Sequence, residues 1–222
     1  MGLLTTNTYM WYVYLEVSDM RRTKEEAANT RERLLEAALA SFHRKGYAAT
    51  TLDDIARQAE ITRGAIQWHF GSKAELYNTL IRECYQEVGE KFRDIYQAEG
   101  TPLQKLRRIL VKWLSYTEED VKFRTVLELM MLKTEVSPEL ASGMQEKVQG
   151  NQVTVSLFAD LIRQGIEAGE IRPDVKPEVA AIAAIGLVNG VTSIWLIDPV
   201  AFSLRGQAEE TVEMFLRGIA QT

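Results

Sequence analysis

The sequence predicts an all-α protein of about nine helices. Apolar residues recur three and four positions apart along most of the chain, which is the period of a helix with one buried face. No stretch alternates apolar and polar residues between hairpin turns, so no sheet is expected. Pro102, Pro138 and Pro177 each begin a periodic segment, at a position where a helix does not need the N–H that proline lacks.

The first three predicted helices are short or sharply ended. The first runs from about residue 24 to 45 and stops at Gly46, since glycine tolerates the left-handed backbone that follows a helix end. The second follows Thr50 and Thr51, either of which can cap it, and carries two aspartates near the positive end of its dipole. The third begins after Thr62 as its N-cap.

A long fourth helix begins at Lys73, ends before Gly100 and joins the two parts of the chain. Five more helices are predicted at residues 102–117, 119–134, 138–168, 177–197 and 207–220.

Composition places the chain among ordinary globular proteins, because 46% of its 222 residues are hydrophobic and 26% are charged. Its net charge is -5, yet residues 20–75 carry ten Lys and Arg against eight Asp and Glu, a local charge of +2. A mildly basic segment joined to an acidic body is typical of a small nucleic-acid-binding module attached to a second domain.

The chemistry of most enzymes is missing from the sequence. The single cysteine, Cys84, excludes an internal disulfide and a thiolate metal cluster, and His43 and His69 offer little for another metal site. There is no Gly-rich phosphate loop, nucleophile elbow or Cys/His arrangement, which argues against an enzyme. We therefore expect no metal and no cofactor, in a protein of the reducing cytoplasm.

Two apolar segments bear on localisation. Residues 1–17 lack the basic start and small-residue cleavage site of a signal peptide, and we interpret residues 1–19 as an N-terminal extension, non-native or disordered. An ordered appendage, such as a short strand, is the alternative. Residues 179–197 are long and uncharged enough to span a membrane, but no Lys or Arg cluster flanks them. We interpret them as a helix buried in a core or between subunits, and expect no membrane partner.

The second and third helices are separated by a tight turn and predict a helix-turn-helix, in which small Ala56 permits close approach and three isoleucines fill the shared core. In that geometry the third helix enters the major groove of double-stranded DNA by its N-terminal end. Arg63 can pair with guanine and Gln67 with adenine. The residues predicted to contact base edges or phosphates are Thr51, Thr62, Arg63, Gly64, Ala65, Gln67, Trp68, His69 and Lys73.

Taken singly, these residues have other interpretations. Arg63 and Lys73 could be solvated charges, Trp68 and Phe70 could be core residues, and His69 could be an ordinary surface histidine. Their combination at this spacing favours DNA contact.

The stretch TTLDDIARQAEITRGAIQWHFGSKAELY resembles the DNA-binding signature of the TetR family of bacterial transcriptional repressors. Two positions depart from it. Glu60 stands where a glycine is common in the turn, which predicts strain at a positive φ, and Gln67 replaces a tyrosine that usually touches phosphate. The shared residues are Ala56, Ala59, Thr62, Gly64, His69, Phe70, Lys73 and Leu76.

The remainder of the chain is similar to the AcrR-like branch of that family, the multidrug-efflux repressors, through RRILVKWL, VLELMMLKTE, GEIRPDVKPEVAA and GLVNGVTSIWLIDP. The resemblance implies a homodimer that binds a palindromic operator and releases it when a hydrophobic small molecule enters the larger domain. We divide the chain into the extension at 1–19, a three-helix DNA-binding domain at 20–72, and an effector-binding and dimerisation domain at 73–222. Residues 75–95 are the expected transmitter between the domains.

Several helices of the larger domain have apolar faces with a few polar groups, as a ligand pocket requires. Methionines suit varied ligands, although a methionine stripe is more often ordinary core. Polar residues such as Asn189 and Thr192 could orient an effector, bond to backbone, or face a partner subunit. The predicted effector-binding residues are Cys84, Leu106, Ile109, Leu110, Trp113, Leu127, Met130, Met131, Asn151, Thr154, Phe158, Ile185, Val188, Asn189 and Thr192.

The last two helices are rich in large apolar residues, which would form an exposed patch on a monomer and so argue for a partner. The residues predicted at a homodimer interface are Ile194, Trp195, Phe202, Val212, Phe215, Leu216 and Ile219. The alternative function is a DNA-binding regulator without an effector, whose C-terminal domain only dimerises. A filled core in place of a cavity would favour that alternative.

Overall fold

The computed structural model describes residues 6–135 and 137–221, with side chains described from residue 24 onward. Among these residues the extended backbone forms one isolated antiparallel bridge, between Ile171 and Ala220, so the all-α prediction is confirmed. A 3₁₀ turn at Pro138–Leu140 precedes the seventh helix. The described residues form nine α-helices: α1 (Thr6–Ala49), α2 (Leu52–Ala59), α3 (Arg63–Phe70), α4 (Lys73–Gln97), α5 (Pro102–Glu119), α6 (Val121–Leu132), α7 (Ala141–Glu167), α8 (Pro177–Ile197) and α9 (Leu204–Arg217).

Helix α1 starts earlier than the apolar period indicates. Its backbone is helical from Thr6, not from residue 24, so a short strand in residues 6–19 is wrong. Residues 1–5 of the predicted extension lie outside the described residues. The helix is interrupted at Gly46, whose φ of 77° is the left-handed backbone predicted there. A Cβ at this position would lie 3.2 Å from the carbonyl oxygen of Lys133, so packing also favours glycine.

The caps of the short helices are local and follow from sequence. The Thr51 hydroxyl accepts from the amide of Asp54 at 3.1 Å, and the Asp54 carboxylate accepts in return from the amide of Thr51 at 3.1 Å. This capping box begins α2. Thr62 caps α3 by accepting from the amide of Ala65 at 3.3 Å. Thr50 is not a cap, because its hydroxyl donates to the carbonyl of Gly46 at 2.7 Å.

Two hydrophobic cores meet within α4. The first is enclosed by α1, α2, α3 and the start of α4, where Leu76 and Leu80 contribute. The second is enclosed by α5 to α9 and the middle of α4, where Cys84 and Val88 contribute. Because one continuous helix supplies both cores, a rotation or shift of α4 moves both. The division at residues 72 and 73 stays a prediction.

The C-terminal end of α6 packs on α1 across the boundary between the cores. The amide of Tyr47 donates to the carbonyl of Lys133 at 3.3 Å, and the Lys133 ammonium donates to the carbonyl of His43 at 2.8 Å. The His43 ring lies 2.5 Å from the carboxylate of Glu128. Leu129, although on α6, is fully buried in the first core. The second domain therefore contributes a buried residue to the hydrophobic core of the first domain.

Helix α8 is long and apolar enough to cross a membrane, by length and composition. In the structure one side of it packs into the second core, with Ala181, Ala184 and Val188 buried. The opposite side carries Ile182 and Ile194, which are exposed. Helix α8 is thus a core helix whose second apolar side is exposed to solvent.

Candidate DNA interface and effector core

The turn between α2 and α3 has the strain that the sequence predicts. Glu60 adopts the left-handed conformation with φ 54°, where glycine would be less strained. Hydrogen bonds hold the turn from both sides: the amide of Glu60 donates to the carbonyl of Arg57 at 3.3 Å, and that of Ile61 to the carbonyl of Ala56 at 3.0 Å. The Arg33 guanidinium donates to the carbonyl of Ala59 at 2.7 Å. Arg33, on α1, was not predicted as a turn contact because it lies 26 residues away in sequence.

Helix α3 presents its first turn to solvent. Ile66 and Phe70 face the first core, whereas Arg63, Gly64 and Gln67 on the other sides are exposed. The amides of a first helical turn lack partners within the helix, and the positive end of the helix dipole lies there. This N-terminus can therefore attract a phosphate while neighbouring side chains reach base edges.

Two aromatic rings lie on the exposed flank of α3. Trp68 is 75% exposed and packs edge-on against the ring of His69, with 4.5 Å between centroids. Partial burial and the positive charge of Arg31 hold the pKa of His69 below its ordinary value, which favours the neutral ring. The neutral ring can still donate one N–H to a phosphate.

Arg63 forms an ion pair with a residue of α2. Its Nη1 lies 3.3 Å from Oδ2 of Asp53, the second residue of α2. The pairing depends on the angle between α2 and α3, so no local sequence signal shows it.

Two predicted phosphate contacts are engaged elsewhere. The Lys73 ammonium donates to the carbonyls of Tyr47 at 3.2 Å, Ala48 at 3.5 Å and Thr50 at 3.1 Å. It also lies 4.3 Å from the centroid of the Tyr47 ring. Lys73 thus caps the end of α1 in this conformation, and the phosphate contact predicted for it stays a prediction. Both donors of Thr51, its amide and its hydroxyl, are likewise directed to Asp54, at 3.1 and 2.9 Å.

Most of the predicted effector residues do come together in the second core. Phe92, Trp113, Tyr116 and Phe123 form an aromatic cluster there, with centroid separations of 5.3 to 6.3 Å. The predicted residues within this core or packed against it are Cys84, Leu106, Ile109, Leu110, Trp113, Leu127, Met130, Phe158, Ile185, Val188 and, by its burial, Thr192.

Four predicted effector residues do not face the core. Met131 is 40% exposed at the end of α6, and Asn189 is exposed on the open side of α8. Asn151 and Thr154 are exposed on the first half of α7, and the Thr154 hydroxyl donates to the carbonyl of Gly150 within the helix. In this conformation the four residues do not line the second core, because the face that a helix buries depends on the angle at which it crosses its neighbours.

Two clefts among the described residues lie away from these core residues. A cleft of about 330 Å³ lies between α1 and the end of α2, and one of about 140 Å³ lies between α5 and α9; the predicted effector residues line neither. Two buried polar atoms of the second core nevertheless lack hydrogen-bond partners, the indole Nε1 of Trp113 and the Thr192 hydroxyl. Such atoms are costly in a dry core and are usually satisfied by water or a ligand.

Cys84 is buried in this core and is 2% exposed. Burial raises the pKa of its thiol to about 11, so the reactive thiolate is scarce at neutral pH. The residue packs as a small apolar side chain.

The predicted dimer residues divide between the core and the surface. Trp195, Val212, Leu216 and Ile219 are buried within the protomer, which corrects their assignment to an exposed patch. Phe202 and Phe215 are half-buried, and Ile194 is 63% exposed. Further exposed apolar residues lie on α8, on α9 and between them: they are Val179, Ile182, Ile197, Val200 and Met214.

A three-helix module with an exposed, cation-bearing helix N-terminus, joined to a larger helical domain, defines a DNA-binding regulatory protein. Two protein-family profiles match the chain and support this class of protein. "Bacterial regulatory proteins, tetR family" matches residues 34–80, and "MAATS-type transcriptional repressor, C-terminal region" matches residues 101–220. The chain belongs to the TetR family of bacterial transcriptional regulators.

Similar proteins include efflux regulators. The HTH-type transcriptional regulator AcrR of Shigella flexneri is 33% identical over 198 residues, which cover 88% of this chain and 92% of AcrR. The crystal structure of NalD, the secondary repressor of the MexAB-OprM multidrug efflux pump in Pseudomonas aeruginosa, matches with a TM-score of 0.79 and 29% identity over 89% of this chain and 98% of NalD. A SmeT–triclosan complex matches with a TM-score of 0.68 and 26% identity, over 86% of this chain and 92% of SmeT; SmeT is the repressor of the Stenotrophomonas maltophilia pump SmeDEF.

We expect Lys73→Met to lower the free energy of unfolding by about 1 to 3 kcal/mol, because three backbone carbonyls lose a charged donor. Urea denaturation followed by circular dichroism measures this. Lys147→Met, at an exposed position of α7, is the matched control and should leave stability unchanged. Normal stability with a shallower salt dependence of DNA binding would instead identify Lys73 as a phosphate contact.

We expect Thr192→Val to raise the free energy of unfolding by about 1 kcal/mol, because a buried hydroxyl without a partner is removed at constant volume. Thr117→Val is the control, since the buried Thr117 hydroxyl donates to the carbonyl of Trp113 at 2.9 Å. The control should be neutral or destabilising in the same denaturation measurement. Equal effects of the two variants would show that Thr192 is satisfied in solution.

Proposed function

We propose that the protein is a ligand-responsive transcriptional repressor that binds palindromic operator DNA as a homodimer and is released by a hydrophobic small molecule. The observation that carries the proposal is the exposed first turn of α3, which presents Arg63 and Gln67 from a chain whose net charge is -5. An acidic protein can bind DNA only through a local surface of this kind. The larger acidic domain faces away from the duplex.

Dimerisation is proposed from the open side of α8. Val179, Ile182, Ile194 and Ile197 are exposed along it at helical spacing. Gly186 and Gly190 lie between them, and a Cβ added at either would meet nothing within 4 Å. A second copy packed along this side would cover a continuous apolar surface. Two-fold symmetry would then place two α3 helices about 34 Å apart, one turn of B-DNA.

An effector is proposed from the second core and from the relatives. The Trp113 indole and the Thr192 hydroxyl are polar groups held without partners in apolar surroundings, which suits a ligand that is mostly hydrophobic and carries one or two polar atoms. The triclosan complex of SmeT and the efflux pump controlled by NalD support a role in multidrug efflux. The effector would favour a conformation in which α3 cannot reach DNA, and DNA would oppose the effector by the same coupling energy.

One observation favours a second candidate function. The aromatic residues of the second core pack against one another, with centroid separations of 5.3 to 6.3 Å, and they line neither of the two clefts described above. A regulator whose C-terminal domain serves dimerisation only would have such a core. Either function places the protein where DNA is, in the cytoplasm, and neither requires a cofactor or catalysis.

The test is fluorescence anisotropy of a labelled duplex from upstream of the protein's own gene, with a scrambled duplex as control. A panel of hydrophobic aromatic and cationic compounds is then added. Specific binding that one compound abolishes supports the ligand-responsive repressor. Specific binding that no compound disturbs supports the second candidate, and equal binding of both duplexes contradicts the choice of operator.

We expect Arg63→Ala to weaken operator binding by about 1 to 3 kcal/mol and to relax the preference for one base pair, because a guanidinium that pairs with guanine is lost. Dissociation constants for the operator and for single-base-pair variants measure both effects. Arg57→Ala, at an exposed position of α2, is the control. Uniform loss of affinity on all duplexes would make Arg63 a phosphate contact instead.

We expect Ile194→Lys to give a monomer of 25.2 kDa in place of a dimer of twice that mass, because a charge would be buried in the proposed interface. Light scattering after size-exclusion chromatography measures the mass. Val153→Lys, at an exposed apolar position of α7, should remain dimeric. If the Ile194→Lys variant remained dimeric, the interface would lie on another surface of the protein.

A further inference from the structure

Two aspartates begin α2, but only one of them closes the helix. Asp54 completes the capping box and also accepts from the ammonium of Lys45 at 2.8 Å. The hydrogen bond from Lys45 and those from Thr51 hold the pKa of Asp54 well below its ordinary value. Asp53 takes no part in the cap. Its carboxylate lies instead against the Arg63 guanidinium, 3.3 Å from Nη1, with both side chains about 60% exposed.

A carboxylate at this position works against DNA binding in general. Asp53 lies within two residues of Thr51 at the start of α2 and beside the first residue of α3, on the side of the module that would face the duplex. Negative charge there repels phosphates and weakens binding to every sequence. The pairing with Arg63 gives the carboxylate a function that offsets this repulsion.

The geometry of the pair leaves Arg63 able to read a base. A guanidinium has five N–H donors, and the contact with Asp53 uses Nη1. The edge formed by Nε and Nη2 stays available to donate two hydrogen bonds to O6 and N7 of guanine. An exposed arginine without such a contact rotates freely and reaches neighbouring phosphates as readily as bases.

We propose that Asp53 is a positioning residue that sets sequence specificity: it holds the Arg63 guanidinium for a guanine and keeps it from the phosphates. The inference rests on the proposed function, since it concerns how α3 reads DNA. Asp53 contacts no base itself, and its effect passes through Arg63 alone.

The experiment begins with selection of wild-type binding sites from a duplex pool with 24 randomised base pairs. Dissociation constants are then measured for the selected site, for the same site with the Arg63-dependent G·C pair replaced by A·T, and for a scrambled duplex. The variants are Asp53→Asn, Asp53→Ser, Arg63→Ala and the double variant Asp53→Asn with Arg63→Ala. Glu60→Gln is the matched control, because it removes one exposed negative charge from the same module without touching Arg63.

We expect Asp53→Asn and Asp53→Ser to reduce discrimination between the selected and replaced sites by about two- to fivefold, the size of one exposed ion pair. Binding to the scrambled duplex should strengthen, and its salt slope should steepen by up to about 0.9, because Arg63 gains a phosphate. Glu60→Gln should leave discrimination unchanged. In the Arg63→Ala background, Asp53→Asn should change discrimination no further.

Unchanged discrimination in both Asp53 variants, with normal circular dichroism, would overturn the proposal while leaving the repressor function intact. An equal effect of Asp53→Asn with and without Arg63 would also overturn it, since the effect would then be one of charge alone. If selection with the wild-type protein yields no preferred sequence, the proposed function fails and this inference fails with it.

Discussion

The placement of α3 depends on one ammonium group. Gly46 breaks α1, which leaves the carbonyls of the next residues without helical donors, and the Lys73 ammonium donates to three of them from the first turn of α4. The contact ties the end of α1, the start of α2 and the start of α4 to one point, with the Tyr47 ring beneath the cation. One charged donor shared by three carbonyls restrains the three segments together, because moving any one of them weakens a charge-assisted hydrogen bond. Helix α3 lies between α2 and α4 in the chain, so both of its neighbouring helices are held at this point.

The same region is where the larger domain meets the DNA module. Leu129 and Leu140 come from the second domain but are buried in the first core. Glu128 of α6 and Lys133, which follows α6, reach the residues on either side of the break in α1. The expected transmitter, α4, is therefore not the sole physical connection between the domains. Any rearrangement of the second core that shifts the end of α6 changes the support of α1 directly, since closely packed cores transmit displacements instead of absorbing them.

The second core packs around its aromatic residues. It contains two buried polar atoms without hydrogen-bond partners, the indole nitrogen of Trp113 and the hydroxyl of Thr192. A ligand that satisfied these atoms would have to separate helices that are now in contact. The free energy for that separation would come from burying the ligand's apolar surface. The proposed mechanism thus couples ligand entry to helix movement through packing alone, and it needs no charged residue in the core.

The sequence by itself determined what depends on near neighbours. The helical segments, the cap at Thr62 and the break at Gly46 follow from residues within four positions of one another. The sequence alone does not choose between Thr50 and Thr51 as the cap of α2, and the strain at Glu60 follows from the family resemblance. The apolar composition of the second core was also predicted, although four of its proposed lining residues proved to be exposed. Only the tertiary structure decided which side of α8 and α9 is buried, that Lys73 caps α1, and that Asp53 meets Arg63. These depend on the angles at which helices cross, and a helical period in one dimension does not contain those angles.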